Sequence, residues 1–133
     1  MNTLGMKMSQ REFILIIAAL MSMVALTTDA MLPALGYMAQ EFAVDGNAIQ
    51  LVVTSVFVGH ALGQLVYGPM SDTYGRRRSI FVGLGIFCIG SLISVWAESL
   101  EMMLAGRFLQ GFGASGPRVM VVALVRDCFS GAA

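Results

Sequence analysis

Two ionisable side chains of opposite charge lie inside long apolar stretches of this sequence. Asp29 interrupts the stretch at about 13–37, and Arg107 interrupts the stretch at about 102–125. A charge in the hydrocarbon core costs about 2.5 to 3.5 kcal/mol on insertion scales, so such groups face a protein interior or a watery cavity. Both lie at nearly the same depth from one end of their stretches. We therefore expect them to face each other, with Asp29 exchanging protons; the alternative is a helix-end aspartate facing water, because Pro33 could end the helix early.

The same stretch carries a second arginine on the face of Arg107. Arg118 follows eleven residues later, which is a rotation of about 20° after three helical turns. Gly111 lies close to that face and Gln110 within about 60° of it. This polar stripe predicts a wall of a polar cavity. The alternative is a pair of structural arginines bonded to carbonyls and acids inside the bundle.

A further polar pattern lies in the apolar stretch at about 48–70. His60, Gln64 and Tyr67 follow i, i+4, i+7 spacing and share one helical face. His60 and Gln64 are therefore candidates for a polar lining. For the histidine, a buried neutral ring bonded to a neighbour is an alternative to proton handling. Gly59 and Gly63 predict close packing against another helix.

The elements that must position these residues are four apolar stretches, at about 13–37, 48–70, 80–97 and 102–125. Each is near the ~20 residues that a helix needs to cross a bilayer. Each must be helical, because lipid cannot satisfy an open backbone. The chain is 57% hydrophobic and 12% charged, whereas soluble domains carry about 25% charge. The sequence predicts an all-α polytopic membrane bundle with four transmembrane helices.

The basic residues predict the orientation of this bundle. Lys7, Arg11, residues 76–78 and Arg126 all fall on one side if the helices thread up and down. The opposite loops contain acidic residues and no lysine or arginine. Because cytoplasmic loops are enriched in Lys and Arg, we expect both ends of this segment in the cytoplasm and a multi-pass protein of the inner membrane.

The sequence contains no arrangement typical of catalysis. It has no Ser/His/Asp set in a suitable context, no cluster with metal-ligand spacing and no phosphate-binding loop. Its net charge is zero, which gives no basic field for nucleic acid. We expect neither an enzyme, nor a metal site, nor a nucleic-acid partner.

Three motifs resemble one family of membrane transporters. Residues 68–78, GPMSDTYGRRR, resemble the loop motif G-x-x-x-D-x-x-G-R-[RK]-[RK] of the major facilitator superfamily. Residues 107–113, RFLQGFG, resemble its fourth-helix motif R-x-x-Q-G-x-G. Residues 29–35, DAMLPAL, and residues 113–127 are similar to multidrug/proton antiporters of the bicyclomycin/chloramphenicol-resistance type. The motifs occur in order and span nearly the whole chain.

The resemblance implies roles for individual residues. It places a cytoplasmic gate at Gly68, Asp72, Gly75, Arg76, Arg77 and Asp127. In that gate Asp72 would pair with Arg76 and cap a helix of the opposite domain, Asp127 would join the charge network, and the two glycines would allow a close turn. In the fourth helix, Arg107 would tune the protonation of Asp29.

The resemblance also implies a function. The chain would be the N-terminal part, about four of twelve helices, of a proton-coupled exporter of small amphiphilic compounds, powered by the proton gradient without a cofactor. Its partners would be the lipid bilayer and the remaining helices, and alone it would not transport. Two alternatives stay open: a complete four-helix small multidrug transporter working as a dimer, and a non-transporting membrane subunit.

Overall fold

The computed structural model describes residues 9–130, and Lys7 therefore lies outside the described residues. Within that range all regular structure is helical: α1 (Gln10–Asp29), a 3-10 turn (Leu32–Ala34), α2 (Leu35–Glu41), α3 (Gly46–Tyr74), α4 (Arg76–Val95) and α5 (Leu100–Ser130). Four candidate spans are long and apolar enough to cross a membrane. The predicted all-α, four-span membrane bundle is confirmed over this part of the chain.

The first span is not one straight helix to residue 37. α1 begins after Ser9, whose backbone N–H donates to Glu12 Oε2 at 2.9 Å, and it ends at Asp29. Pro33 lies in the 3-10 turn that follows, because proline lacks the N–H that an α-helix requires. The helix therefore ends early, as the alternative reading of Pro33 predicted.

The segment after α1 closes one end of the bundle. Met31 packs in a buried cluster with Ile49, Val52 and Met103, which come from the first turns of α3 and α5. Partly buried apolar residues of α2 cover this cluster. The short helix thus lies across the end of the bundle opposite to the α3–α4 turn.

The turn between α3 and α4 is a single residue. The apolar stretches predicted helices that end at about 70 and begin again at about 80, but α3 continues to Tyr74 and α4 begins at Arg76. Gly75 makes the reversal with φ 89° and ψ 151°, a backbone conformation essentially restricted to glycine. Gly68 lies inside α3, and a Cβ added there would meet nothing within 4 Å. The expected role of Gly68 in the turn is therefore wrong within this chain, since Gly75 alone supplies it.

α5 is the central helix of the bundle. It packs along its length against both α3 and α4, whereas α3 and α4 touch each other much less. α1 contacts α5 over a short part only. The residues of α5 therefore decide which groups from the other helices come together.

The α3–α5 interface is a backbone-to-backbone contact. A Cβ at Gly59 would overlap the carbonyl oxygen of Phe108, and a Cβ at Gly111 would overlap that of Val56. Gly63 is equally tight against Ser115. Glycines allow helix backbones to approach this closely in membranes. The prediction that Gly59 and Gly63 form a close-packing pair is confirmed.

The α4–α5 interface is built in the same way. A Cβ at Gly90 would lie 2.5 Å from the backbone nitrogen of Gln110, and one at Gly83 would lie 2.8 Å from the carbonyl oxygen of Gly113. Pro117 stands four residues after Gly113, so the carbonyl of Gly113 lacks the N–H donor that residue i+4 usually supplies. α5 is thus fixed on two sides by glycine contacts.

Candidate functional site

The fourth-helix motif forms a hydrogen-bonded chain from α5 to α4. Arg107 Nη1 donates to Gln110 Oε1 at 2.9 Å, and Gln110 Nε2 donates to Ser91 Oγ at 2.9 Å. Ser91 Oγ in turn donates to the carbonyl oxygen of Phe87 at 2.9 Å. Gln110 is 8% exposed, and its amide can serve both neighbours because it carries a donor and an acceptor. This glutamine therefore fixes the arginine and joins two helices.

A second cluster joins α5 to α3. His60 Nδ1 lies 3.2 Å from the carbonyl oxygen of Gly111, and Arg118 Nη1 lies 3.3 Å from His60 Nε2. A guanidinium only donates and a carbonyl only accepts. Both bonds therefore form with one neutral tautomer, in which Nδ1 carries the proton and Nε2 accepts from Arg118.

Gln110 of the first cluster and His60 and Arg118 of the second line a common cleft of about 40 Å³ between α1, α3 and α5. Four polar side chains contribute to its lining: Thr27, His60, Gln110 and Arg118. α1 supplies one wall through Val24 and Thr27. Of the polar stripe predicted on α5, Arg118, Gln110 and Gly111 line this cleft and Arg107 does not; the rest of the lining is mostly apolar.

Asp29 is not part of this cleft. It is the last residue of α1 and is exposed, and among the described residues its carboxylate has no hydrogen bond or ion pair with Arg107. Asp29 lies about 200° around the helix from Thr27 and about 140° from Val24, both of which face the cleft. The expectation that Asp29 and Arg107 face each other across the bundle is therefore wrong for this chain.

The polar face predicted for His60, Gln64 and Tyr67, which lie in α3, also differs in part from the expectation. Tyr67 is 1% exposed and packs on Phe112 with the ring centroids 5.5 Å apart, whereas Gln64 is exposed and does not line the cleft. The face of α3 that α5 covers contains Gly59 and Gly63, because close packing selects small residues, and Tyr67, which packs on Phe112. His60, next to that face, is half-buried.

At the opposite end of α5 from Leu100, charged side chains of α4 and α5 form an ion pair. Arg76 Nη2 pairs with Asp127 Oδ2, which joins the start of α4 to the last turn of α5. Asp72 is exposed and has no bond to Arg76 among residues 9–130. It follows Ser71, which is buried, and the rotation of about 100° per residue turns it outward. The expected Asp72–Arg76 pair is therefore replaced by Arg76–Asp127.

Arg77, the next residue of the loop motif, points elsewhere. Its guanidinium carbon lies 5.9 Å from the centroid of the Phe81 ring one turn later in α4. This distance is within the range of a cation–π contact. Arg77 therefore contacts its own helix rather than the Arg76–Asp127 pair.

Two polar residues of the site were missed in the sequence. Ser91 receives the hydrogen bond from Gln110, and Thr27 lines the cleft. The signal available for Ser91 was a hydroxyl inside a charge-free apolar stretch; hydroxyls in membrane helices often bond across helices. Over the described range, no group of three or more His, Cys, Asp or Glu side chains is placed to hold a metal ion.

Comparisons with known proteins agree on one family. The profile of the Major Facilitator Superfamily matches residues 15–133. The chain is 36% identical to an uncharacterized MFS-type transporter of Bacillus subtilis over 88% of this chain and 30% of that protein. It is 37% identical to multidrug resistance protein D of Escherichia coli (74% of this chain, 25% of that protein). It is 34% identical to a bicyclomycin resistance protein homolog of Haemophilus influenzae (89% and 30%).

The chain therefore spans between 25% and 30% of the length of these three relatives. The matched portion contains all three motifs singled out in the sequence, since the family profile covers residues 15–133. No solved structure was found to match the chain.

Proposed function

Because the chain belongs to the major facilitator superfamily, we propose that it forms the N-terminal membrane part of a proton-coupled exporter of small amphiphilic compounds. Relatives that support this proposal are named for multidrug and bicyclomycin resistance, and a further one from Pseudomonas aeruginosa is named for chloramphenicol resistance. The substrates would cross between these helices and the rest of the transporter. The membrane would be the inner membrane, with both ends of the segment in the cytoplasm.

The observation that carries this proposal is the cleft between α1, α3 and α5. Polar side chains from all three helices line it inside spans that are otherwise apolar. Polar groups in a membrane span are costly unless they bond or line a passage. Two of the polar residues, Gln110 and His60, are held by bonds to neighbouring helices, so the lining is preorganised.

In this proposal Asp29 is the proton-exchanging carboxylate. It lies within the candidate span Ile14–Glu41, where its charge would be costly in lipid. Its exposed position leaves it accessible to protons and to other helices of the transporter. Arg107 would act by fixing Gln110 in the cleft wall rather than by touching Asp29 directly.

The cytoplasmic gate is proposed at the Arg76–Asp127 pair. This pair connects the start of α4 with the last turn of α5, so a change in the relative position of the two helices would break it. Asp72 has no partner among the described residues and is left to reach another part of the transporter. Gly75 makes the turn between α3, which carries Asp72, and α4, which begins at Arg76.

The test is proton-driven export by the full-length protein in proteoliposomes. Chloramphenicol, a cationic dye and a carboxylate-bearing dye are loaded, a proton gradient is imposed, and efflux and proton uptake are recorded together. Asp29→Asn is expected to reduce proton-coupled efflux at least about 10-fold, because the amide cannot exchange a proton at this position. Asp45→Asn is the matched control, since Asp45 is an exposed residue that precedes α3.

Two results would reject the proposal. If Asp29→Asn and the wild type show equal efflux and equal proton uptake, Asp29 does not couple proton movement to export. Failure of the wild type to move any tested compound, with the protein correctly folded, would leave a non-transporting membrane subunit as the better explanation.

A further inference from the structure

Arg118 has no acidic partner among the side chains that the structure describes. Its only bonded neighbour among residues 9–130 is the neutral ring of His60. The Arg76–Asp127 ion pair lies about 14 Å further along α5, at 1.5 Å per residue. Arg118 is exposed and its side chain lies in the cleft wall.

The depth of Arg118 in its membrane span makes the lack of an acidic partner unusual. It lies about 7 Å from the middle of the span Leu100–Asp127, at 1.5 Å per residue. A guanidinium at that depth is costly unless it faces water, an acid or a bound anion. The cleft is thus a place where an anionic group would be stabilised.

The other polar groups of the cleft are already engaged. Thr27 Oγ1 donates to the carbonyl oxygen of Met23 at 2.9 Å, and the amide oxygen of Gln110 accepts from Arg107. His60 has both nitrogens occupied. The unused capacity is therefore mainly that of the Arg118 guanidinium, all of whose N–H groups donate.

His60 also orients this guanidinium. By accepting from Nη1, it holds one side of the planar group and leaves Nε and Nη2 for a ligand. Two parallel N–H groups match the two oxygens of a carboxylate. The pair of residues therefore resembles half of a bidentate carboxylate site.

We propose that the cleft at Arg118 binds the carboxylate of a transported solute, so that the protein favours cargo with an acidic head group. This inference rests on the proposed transport function and adds a substrate class to it. The volume of about 40 Å³ has room for a small head group but not for a whole amphiphilic compound. The apolar part of the solute would then lie outside the cleft.

The test compares three probes that share one ring and differ in charge: benzoate, benzamide and benzylamine. Binding to the full-length protein in lipid nanodiscs is measured by equilibrium dialysis at neutral pH. Benzoate is expected to bind at least about 10-fold more tightly than benzamide, because hydrogen bonds between charged groups are stronger than those to a neutral amide. Benzylamine is expected to bind more weakly than either.

The variants separate charge from geometry. Arg118→Gln is expected to abolish the preference for benzoate, and Arg118→Lys to keep only part of it, because lysine lacks the planar pair of donors. Arg78→Gln is the matched control, since Arg78 is exposed in the first turn of α4 and distant from the cleft lining. Circular dichroism and gel filtration verify that each variant is folded.

Each outcome decides one claim. Equal binding of benzoate and benzamide, or a preference that survives Arg118→Gln, overturns the inference. Absence of benzoate binding also overturns it, and would indicate that an acidic side chain of the protein fills the cleft. Efflux assays on the same preparations separate the two proposals: export without a head-group preference leaves transport standing, and an Arg118-dependent preference without export leaves only the binding site.

Discussion

The first and last long helices of this chain have opposite surroundings. In the apolar window of the span Ile14–Glu41 only 6% of the residues are buried inside the molecule, against 53% in the span Leu100–Asp127. The more apolar of the two is nevertheless the exposed one. In a soluble protein the order would be reversed, because apolar area would leave water on burial.

The difference between α1 and α5 shows which interactions place a helix at the centre of a bundle in lipid. Lipid tails are as apolar as leucine, so apolar side chains gain little by moving from lipid to protein. α5 instead carries small residues that admit the backbones of α3 and α4 and polar residues that bond to them. α1 carries large apolar residues such as Leu15, which is 67% exposed. Packing and hydrogen bonds, rather than hydrophobicity, place α5 at the centre.

The largest expected effect is at the glycine contacts of α5. In Gly113→Ala the added methyl group would overlap the backbone nitrogen of Phe87 and lie 2.6 Å from the carbonyl oxygen of Gly83. Since both are backbone atoms, we expect a loss of about 3 kcal/mol in the free energy of unfolding in mixed micelles. Gly85→Ala is the control, because a Cβ there meets nothing within 4 Å. Equal stability of the two variants would show that α4 and α5 are farther apart than the contacts of Gly113 with Phe87 and Gly83 require.

The next effect is at the hydrogen bonds that α5 makes to α4. Gln110→Leu removes the acceptor of Arg107 and the donor to Ser91, so we expect a loss of about 2 kcal/mol in the free energy of unfolding. Gln64→Leu is the matched control, since Gln64 is exposed on α3. A larger loss for Gln64 than for Gln110 would contradict the arrangement of the motif described above.

A smaller effect is expected at the end of α5. Asp127→Asn removes the charge that pairs with Arg76; the two side chains are 48% and 29% exposed, so the loss of stability should be below about 1 kcal/mol. A double-mutant cycle with Arg76→Gln isolates the coupling between them. Asp72→Asn should show no coupling with Arg76→Gln, and coupling there would restore the Asp72–Arg76 pair that the family resemblance implies.

The smallest effect is expected on the outer face of α1. Leu15→Ala in the 133-residue chain should change the free energy of unfolding by less than about 0.5 kcal/mol, because the side chain is mostly exposed and touches little protein. The same substitution in the full-length protein measures whether other helices cover this face. A loss above about 1 kcal/mol in the isolated chain would mean that α1 is packed more tightly than described.

Several features of the fold were predictable from local sequence. The four spans follow from the lengths of the apolar stretches, and the close approach of α3 to α5 follows from Gly59 and Gly63. Ser99 directly precedes α5, where serine is favoured as a helix cap, and its Oγ accepts from the backbone N–H of Met102 at 3.3 Å. These features depend on one helix or one short pattern at a time.

The pairing of charged residues was less predictable. Depth along the helices suggested that Asp29 meets Arg107, but depth gives no information on rotation about the axis. The acceptor for Arg107 comes instead from Gln110, three residues later in the same helix, and the partner of Arg76 comes from α5. The Arg107–Gln110 pair is local, at i, i+3 spacing, whereas the Arg76–Asp127 pair depends on the relative rotation of α4 and α5.

The sequence by itself determined that this chain consists of membrane-length helices and that it carries the motifs of the major facilitator superfamily, because span length, glycine spacing and charge placement are properties of the linear chain. Only the tertiary structure decided that α5 is central, that His60 accepts from Arg118, and that Asp29 turns away from the cleft. The physical reason is that lipid imposes a helix on each span but exerts little force on which face of that helix turns inward. That choice is made by close packing and hydrogen bonds between helices.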